Sequence, residues 1–581
     1  MWQHNWREEL WQQIPRQTWD IIIAGGGITG AGILREATRL GLQVLLVEGR
    51  DFAWGTSSRS SKLVHGGLRY LKEGKLGLTM ESVLERQQLL NDAPGLIDPL
   101  GFLFATYRGD KTGRFIMRAG LTIYDLIALQ WSHRYYRPAD FRMLAPHIDM
   151  QGLKGGFHYG DALTDDARLV LRLISEAIAA GGTAVNYVSV SGLLQEAGRV
   201  SGVYLRDGQT GAETMARARL VINATGAWAD RLRGQVGGEA RLRPLRGSHL
   251  IFPSWRLPVA QAVSFFHPLD GRPVFIFPWE GVTLVGTTDT DHGRHLDEEP
   301  VISGQEVAYL MTAVADAFPS LNITLDDIIA TFAGVRPVID TGQLDPSKES
   351  RDHVIWQENG LLTVTGGKLT TFRLIARDVL STVHHLLPDL PELDRAAPLL
   401  NPVETELPLQ ANLTEMARRR LLGHYGAQAA DLVAAAKIGE LDFIPGTPIL
   451  WAELRWAARA EAVVHLDDLL LRRVRLGLLL PEGGRQHLPR IRAICQAELG
   501  WDDGRWQAEE QAYCSLWQRC YSLPDPETIP DWRPMLAQAE EQRLQLYQRR
   551  QRRAARTGLM ALGMLALAGL LSYLYFGKRS Q

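Results

Sequence analysis

Gly25, Gly27 and Gly30 stand in the run Gly25-Gly26-Gly27-Ile28-Thr29-Gly30, after the apolar β-like run Ile21-Ile22-Ile23-Ala24 and at the head of a helix-like stretch. A second apolar run, Val44-Leu45-Leu46-Val47, ends on Glu48. Residues of these types at this spacing can hold a dinucleotide. Gly25 permits the tight turn, Gly27 lets the backbone approach a pyrophosphate at the helix N-terminus, Gly30 allows close helix–strand packing, and Glu48 can accept the ribose hydroxyls. A GxGxxG run alone is a weak signal, but here strand, helix and terminal acid follow in the order a βαβ unit requires.

Two later runs show which dinucleotide fits. Leu220-Val221-Ile222-Asn223-Ala224-Thr225-Gly226 reads as a buried strand ending in a small-residue turn, and Leu362-Thr363-Val364-Thr365-Gly366-Gly367-Lys368 reads the same way before a helix. Strands that return so late to the first unit suit a long FAD. Gly226, Gly366 and Gly367 then approach the cofactor. No second GxGxxG follows a strand, so no NAD(P)H domain is expected and electrons come from the substrate directly.

The stretch from Gly55 to Leu71, Gly-Thr-Ser-Ser-Arg-Ser-Ser-Lys-Leu-Val-His-Gly-Gly-Leu-Arg-Tyr-Leu, resembles the signature that follows the first βαβ unit in FAD-dependent glycerol-3-phosphate dehydrogenases. The resemblance continues in order through Gly156-Phe157-His158-Tyr159-Gly160-Asp161, Asp165-Asp166-Ala167-Arg168-Leu169, Gly247-Ser248-His249, Gly286-Thr287-Thr288-Asp289, Gly334-Val335-Arg336-Pro337 and Gly366-Gly367-Lys368-Leu369-Thr370-Thr371. It extends to Asp467-Asp468-Leu469 and Arg472-Arg473-Val474-Arg475-Leu476-Gly477, and covers residues 17–520. Two departures are Ala227, where the family usually has proline, and Phe372, where it usually has tyrosine; neither removes a charge.

The resemblance implies FAD-dependent oxidation of sn-glycerol 3-phosphate to dihydroxyacetone phosphate, with Thr56, Ser57, Ser61, Lys62, Gly66, Leu369 and Thr370 joining the cofactor contacts. It also places four cations, Arg69, Arg336, Arg351 and Lys368, around flavin and substrate, where arginine's planar fork suits a phosphate dianion. Arg351 has only Asp352 and His353 beside it and is equally a surface charge. Tyr70 donates to phosphate or simply packs. His65, with an unperturbed pKa of about 6.5, is the favoured proton acceptor, a hydrogen-bonded structural histidine being the alternative. Arg336 lies by resemblance near the carbinol, yet a guanidinium is a poor base and a good clamp. His249 and Thr287 are left as substrate-domain residues without a role, and no metal site is expected.

These residues need an interleaved architecture to meet. The expectation is an α/β fold with a Rossmann-like FAD-binding domain at 17–100, 155–240 and 330–385, and an antiparallel-sheet substrate domain at 101–154 and 241–329. A helical C-terminal domain at 402–530, a basic linker at 531–557 and one transmembrane helix at 558–577 follow. The last stretch has twenty residues without a charge, and at about 1.5 Å each these span the roughly 30 Å hydrocarbon core. Arg549, Arg550, Arg552, Arg553 and Arg556 before it outnumber Lys578 and Arg579 after it, which keeps the catalytic body cytoplasmic at the inner membrane. Within residues 1–16, Trp2, Trp6, Leu10 and Ile14 form one helical stripe that either dips into lipid headgroups or packs on its own domain.

Composition narrows the partners. With 63 basic against 65 acidic residues and a net charge of −2, nothing suggests nucleic acid. The three cysteines, Cys495, Cys514 and Cys520, have no CxxC spacing, which argues against a redox disulfide or cluster and for a reducing compartment. The partners expected are sn-glycerol 3-phosphate, membrane lipid and quinone, with a homodimer as an open option. The rival readings are a glycerol-3-phosphate oxidase using oxygen, an amine or amino-acid oxidase of the same fold, and a catalytically silent membrane-tethered flavoprotein.

Overall fold

A parallel strand triplet organises the first half of the molecule. Thr18–Ala24 pairs with Val44–Val47 on one side and Glu213–Asn223 on the other, Ile21 lying opposite both Val44 and Leu220. Their near-continuous Ile, Leu and Val content is what a strand covered on both faces requires. Leu361–Gly366 extends the sheet in parallel, His353–Glu358 closes that edge antiparallel, and Thr183–Val185 lies beyond Val44–Val47. The helices Ile28–Arg39, Asp166–Ala179 and Phe372–Val383 cover one face. The ribbon Val188–Glu196 and Arg199–Asp207 covers the other. This computed structural model describes residues 2, 6–67, 76–108, 114–128, 131–342, 352–384, 386–387, 391–392, 394, 396–403, 407, 413–542, 544–545 and 548.

A second, ten-stranded sheet is built around the hairpin Pro273–Trp279 and Val282–Gly286, turned by Glu280-Gly281 as its β-rich runs predict. Four strands fall in this sheet although the sequence reading divides the chain differently, the short Leu63–Val64 pairing with Leu153–Thr164 among them. Ala330–Ile339 pairs along Leu242–Pro253, and Ile97–Tyr107 pairs along Leu153–Thr164. Pairing between distant segments sets these boundaries, and hydrophobic alternation does not reveal partners. The helix Gly304–Ala317, opened by a Ser303/Glu306 capping box, packs on one face of the sheet.

The C-terminal helices, including Trp451–Ala460 and Asp503–Cys520, pack against the other face through Trp451, Leu454, Leu466 and Leu470. Buried ion pairs fasten this helical domain to the nucleotide domain. Asp51 receives both Arg472 and Arg473, and Arg168 pairs with Glu461.

One sequence expectation changes here, and one pair of alternatives is narrowed. The single C-terminal transmembrane helix is withdrawn from the architecture: no helix among the described residues is long and apolar enough to cross a membrane, and 558–577 lies outside those residues. The 18-residue helix Asp503–Cys520, for example, carries Asp503, Arg505, Glu509 and Arg519. At the other end of the chain the helix Trp6–Gln13 packs on its own domain. The Trp2 indole donates to the Ala184 carbonyl at 3.3 Å and packs on Phe52, Ile14 is fully buried, and Arg7 pairs with Asp207.

Candidate functional site

A cleft of about 670 Å³ opens between the C-terminal ends of the parallel strands and the second sheet. This is the crevice position where open α/β sheets bind ligands. Glu48 follows the strand Val44–Val47 and Gly366 ends Leu361–Gly366, with two strands between them, and Gly367, Lys368, His65 and Arg336 line the same cleft.

The glycine turn is shaped by close approach. Gly25 has φ +115° and a Cβ there would lie 2.5 Å from the Ala224 carbonyl oxygen; one on Gly30 would lie 1.9 Å from the Gly25 oxygen. Side chains are excluded at both positions. Gly27 starts the helix Ile28–Arg39, so that helix N-terminus faces the cleft, and Ser57 Oγ accepts from the Ile28 amide at 2.9 Å. Glu48 accepts from the Gly26 and Arg50 amides at 2.6 and 2.8 Å. Burial pushes its carboxyl up, while those two donors oppose the shift. A cradle closed to side chains, an anion-attracting helix terminus and a carboxylate at the end of the neighbouring strand fit a dinucleotide.

Most residues singled out from sequence line this one cleft: Gly25, Gly27, Glu48, Thr56, Ser57, Ser61, His65, Gly226, Arg336, Gly366, Gly367, Lys368, Leu369 and Thr370. Thr56 Oγ1 donates to the Val335 carbonyl at 2.5 Å, and Thr370 Oγ1 donates to that of His65 at 3.3 Å. The Arg336 guanidinium donates to Asp289 Oδ1 at 2.7 Å and to the Thr288 carbonyl at 3.3 Å. Lys368 Nζ donates to Ser82 Oγ at 3.0 Å.

Three of the residues lie elsewhere. Gly30 packs beneath the turn. Gly66 donates its amide to Asp161 at 3.0 Å, and a Cβ on it would sit 2.2 Å from the Tyr124 hydroxyl, so it is a packing glycine. Lys62 is fully buried, 3.0 Å from Asp166 Oδ1, over the rings of Trp279 and Phe332. Its neighbour Ser61 faces the cleft, and the backbone turns at Lys62, whose φ of +55° lies in the left-handed region. Arg69, Tyr70 and Arg351 lie outside the described residues.

The structure adds wall residues to which sequence reasoning gave no role. Val188, Ser189 and Val190 line the end near Glu48, and Phe275 and Thr287 line the wall from the second sheet. Thr287 sits in a recognised motif, whereas nothing local to Val188–Val190 signals a site. Behind Ser61 lies His249, buried and stacked on Phe332 at 4.5 Å, with Nε2 2.9 Å from Ser61 Oγ. Burial, helped by Lys62 and Arg336, pushes its pKa down to about 3.

This geometry can be set beside known proteins. Residues 20–373 match the FAD dependent oxidoreductase family, and residues 395–506 match the C-terminal domain of alpha-glycerophosphate oxidase. Aerobic glycerol-3-phosphate dehydrogenase of Bacillus subtilis (strain 168) is 40% identical over 394 residues, 67% of this chain and 71% of that protein. The chain belongs to the FAD-dependent glycerol-3-phosphate dehydrogenase family. Another member, from Staphylococcus aureus (strain USA300), is 38% identical over 65% of this chain and 69% of its own length. The FAD complex of glycerol-3-phosphate dehydrogenase from Bacillus halodurans superposes with a TM-score of 0.72 at 26% identity, covering 90% of this chain and 98% of that one. FAD is thus the cofactor of this family member, and the cleft is where the cradle for it lies.

Proposed function

We propose that the protein oxidises sn-glycerol 3-phosphate to dihydroxyacetone phosphate and passes the electrons to a membrane quinone. The observation that carries the oxidation is that Lys368, which follows the strand end two strands away from that of Glu48, lines one cleft with Arg336 and His65. Bound FAD supplies the acceptor for the hydride leaving C2 of the substrate. The protein has three further tasks there. Lys368 and Arg336 hold the phosphate and the polarised C2 oxygen by charge-assisted hydrogen bonds. His65 takes the hydroxyl proton as the carbonyl forms. Asp289, accepting from Arg336 and paired with Arg272 at 3.0 Å, fixes the guanidinium so that it clamps charge without giving up a proton.

The quinone reading is supported by an exposed apolar face beside the same cleft. The helix Leu76–Asp92 buries Ser82, the partner of Lys368, and exposes Leu76, Met80 and Leu84. The adjoining helix Arg114–Ala128 exposes Phe115, Ile116, Ile123 and Leu126 beside the cations Arg114 and Arg118. Apolar side chains mixed with arginine suit an anionic lipid surface. We place that surface at the cytoplasmic face of the inner membrane, in keeping with the free thiols Cys495, Cys514 and Cys520.

The experiment is steady-state turnover of the purified protein with sn-glycerol 3-phosphate and three acceptors: an artificial dye, a quinone in lipid vesicles, and oxygen. Dihydroxyacetone phosphate should form with dye and quinone. Peroxide produced in step with substrate loss would replace the quinone reading by the oxidase. Phe115→Glu should impair turnover with vesicle quinone while leaving turnover with dye intact; equal activity with both would sink the lipid face.

A further inference from the structure

We infer that His249 is a positioning residue that fixes the Ser61 hydroxyl as a hydrogen-bond donor to FAD in the cleft. The inference rests on the cofactor reading above and concerns the wall behind the cleft. His249 lies on the strand Leu242–Pro253, opposite Gly286 on one neighbouring strand and Phe332 on the other. Its ring is parallel to Phe332 within 8°, and a Cβ on Gly286 would come within 2.2 Å of its Cδ2. Aromatic ring and bare glycine leave the imidazole one orientation. In it, Nε2 meets Ser61 Oγ at 2.9 Å, and Ser61 is on the cleft wall.

The other ring nitrogen determines how the proton is arranged. Nδ1 is buried and has no hydrogen-bond partner among the described residues. A neutral imidazole carries one N–H, on either nitrogen. With the proton on Nδ1, a buried N–H would be orphaned; with it on Nε2, only a lone pair is. Orphaned buried donors are the rarer case in folded proteins. The Nε2–H therefore donates to Ser61 Oγ, and the serine keeps its own proton for an acceptor in the cleft. Burial, together with Lys62 and Arg336, keeps the ring neutral at physiological pH, so this order persists. A donor aimed at a flavin favours the reduced, more electron-rich form.

The test reads the bound flavin rather than turnover. FAD content, visible spectrum and midpoint potential are measured for wild type, Ser61→Ala, His249→Leu, the double variant and His249→Gln. FAD content is scored first, because a wild type without FAD would overturn the cofactor reading and with it a Ser61 donor to FAD. With FAD bound, Ser61→Ala and His249→Leu should each lower the reduced-to-oxidised ratio at fixed poise about tenfold, which is about 30 mV for a two-electron couple. The double variant should go no further, because both changes remove one interaction. Glutamine can donate to Ser61 and should stay within about twofold of wild type. His249→Leu at wild-type potential with full FAD would overturn the inference, as would single effects that add in the double variant. Should His249→Leu lose FAD, the remaining pair decides: Ser61→Ala at wild-type potential, or His249→Gln shifted as far as Ser61→Ala, overturns it.

Discussion

Lys62 Nζ lies 3.0 Å from Asp166 Oδ1, and neither side chain is exposed. Asp166 also receives Arg475 from the C-terminal domain and the Ser60 hydroxyl and amide, so one carboxylate ties the cofactor loop to that domain. Against the penalty of burial, Lys62 and Arg475 hold Asp166 below the usual carboxylate range. Burial pushes Lys62 down to about 8 in spite of Asp166. Asp166→Asn strands the buried Lys62 and takes from Arg475 one of its two carboxylates, the other being Asp165 at 3.2 Å, and should cost about 3–5 kcal/mol, whereas Lys62→Met leaves Asp166 paired with Arg475 and should cost less. Thermal unfolding of the holoenzyme gives the ranking, and the reverse order would contradict this arrangement.

The same pair sets a pH dependence. Because the folded pKa of Lys62 is depressed, the unfolded chain holds that proton more tightly between about 8 and the ordinary value of about 10.4. The contribution of Lys62 is therefore present above that window and lost as pH falls through about 8. Wild type should gain stability relative to Lys62→Met as pH rises from about 8 to about 10. A difference in Tm that stays constant across that range would refute the assignment.

Gly27→Val should yield protein without flavin. A Cβ on Gly27 meets Ser57 Oγ at 3.0 Å, so a branched side chain displaces the serine that caps Ile28 and fills the pyrophosphate approach. Absorbance of the purified variant is the readout, and stoichiometric FAD would contradict this cradle.

Lys368→Met should lower kcat/KM for sn-glycerol 3-phosphate about tenfold to a hundredfold, the equivalent of one charge-assisted hydrogen bond of roughly 1.5–3 kcal/mol. Because Lys368 lines the cleft and donates to buried Ser82, the variant should retain FAD. Unchanged kinetics would remove the ammonium from the substrate site.

His65→Asn should slow flavin reduction about a hundredfold or more while FAD stays bound. Rapid-mixing absorbance separates the two effects. Reduction at the wild-type rate would return His65 to a structural role.

How far the sequence carried these conclusions depended on how local each signal was. Strand, glycine turn, helix and Glu48 are contiguous, and the structure places them as one βαβ unit. Ser61 and Lys62 are adjacent in one recognised motif, yet the first faces the cleft and the second the core, because motif membership does not reveal the left-handed turn of the backbone at Lys62. The sequence reading put Ala330–Ile339 in the nucleotide domain, within 330–385, but its hydrogen bonds run along Leu242–Pro253. Val188–Val190 carry no chemical signal, and only the sheet brings them to the cleft. The His249–Ser61 contact joins residues 188 positions apart and is visible only in the fold.

The central claim is that the cleft couples a phosphorylated secondary alcohol to its flavin. Anaerobic mixing of the purified protein with sn-glycerol 3-phosphate, followed by visible absorbance, tests it most directly. The account predicts bleaching of the bound FAD by sn-glycerol 3-phosphate and none by glycerol, amino acids or NADH. Bleaching by NADH or an amino acid, with the flavin unchanged by sn-glycerol 3-phosphate, would contradict it.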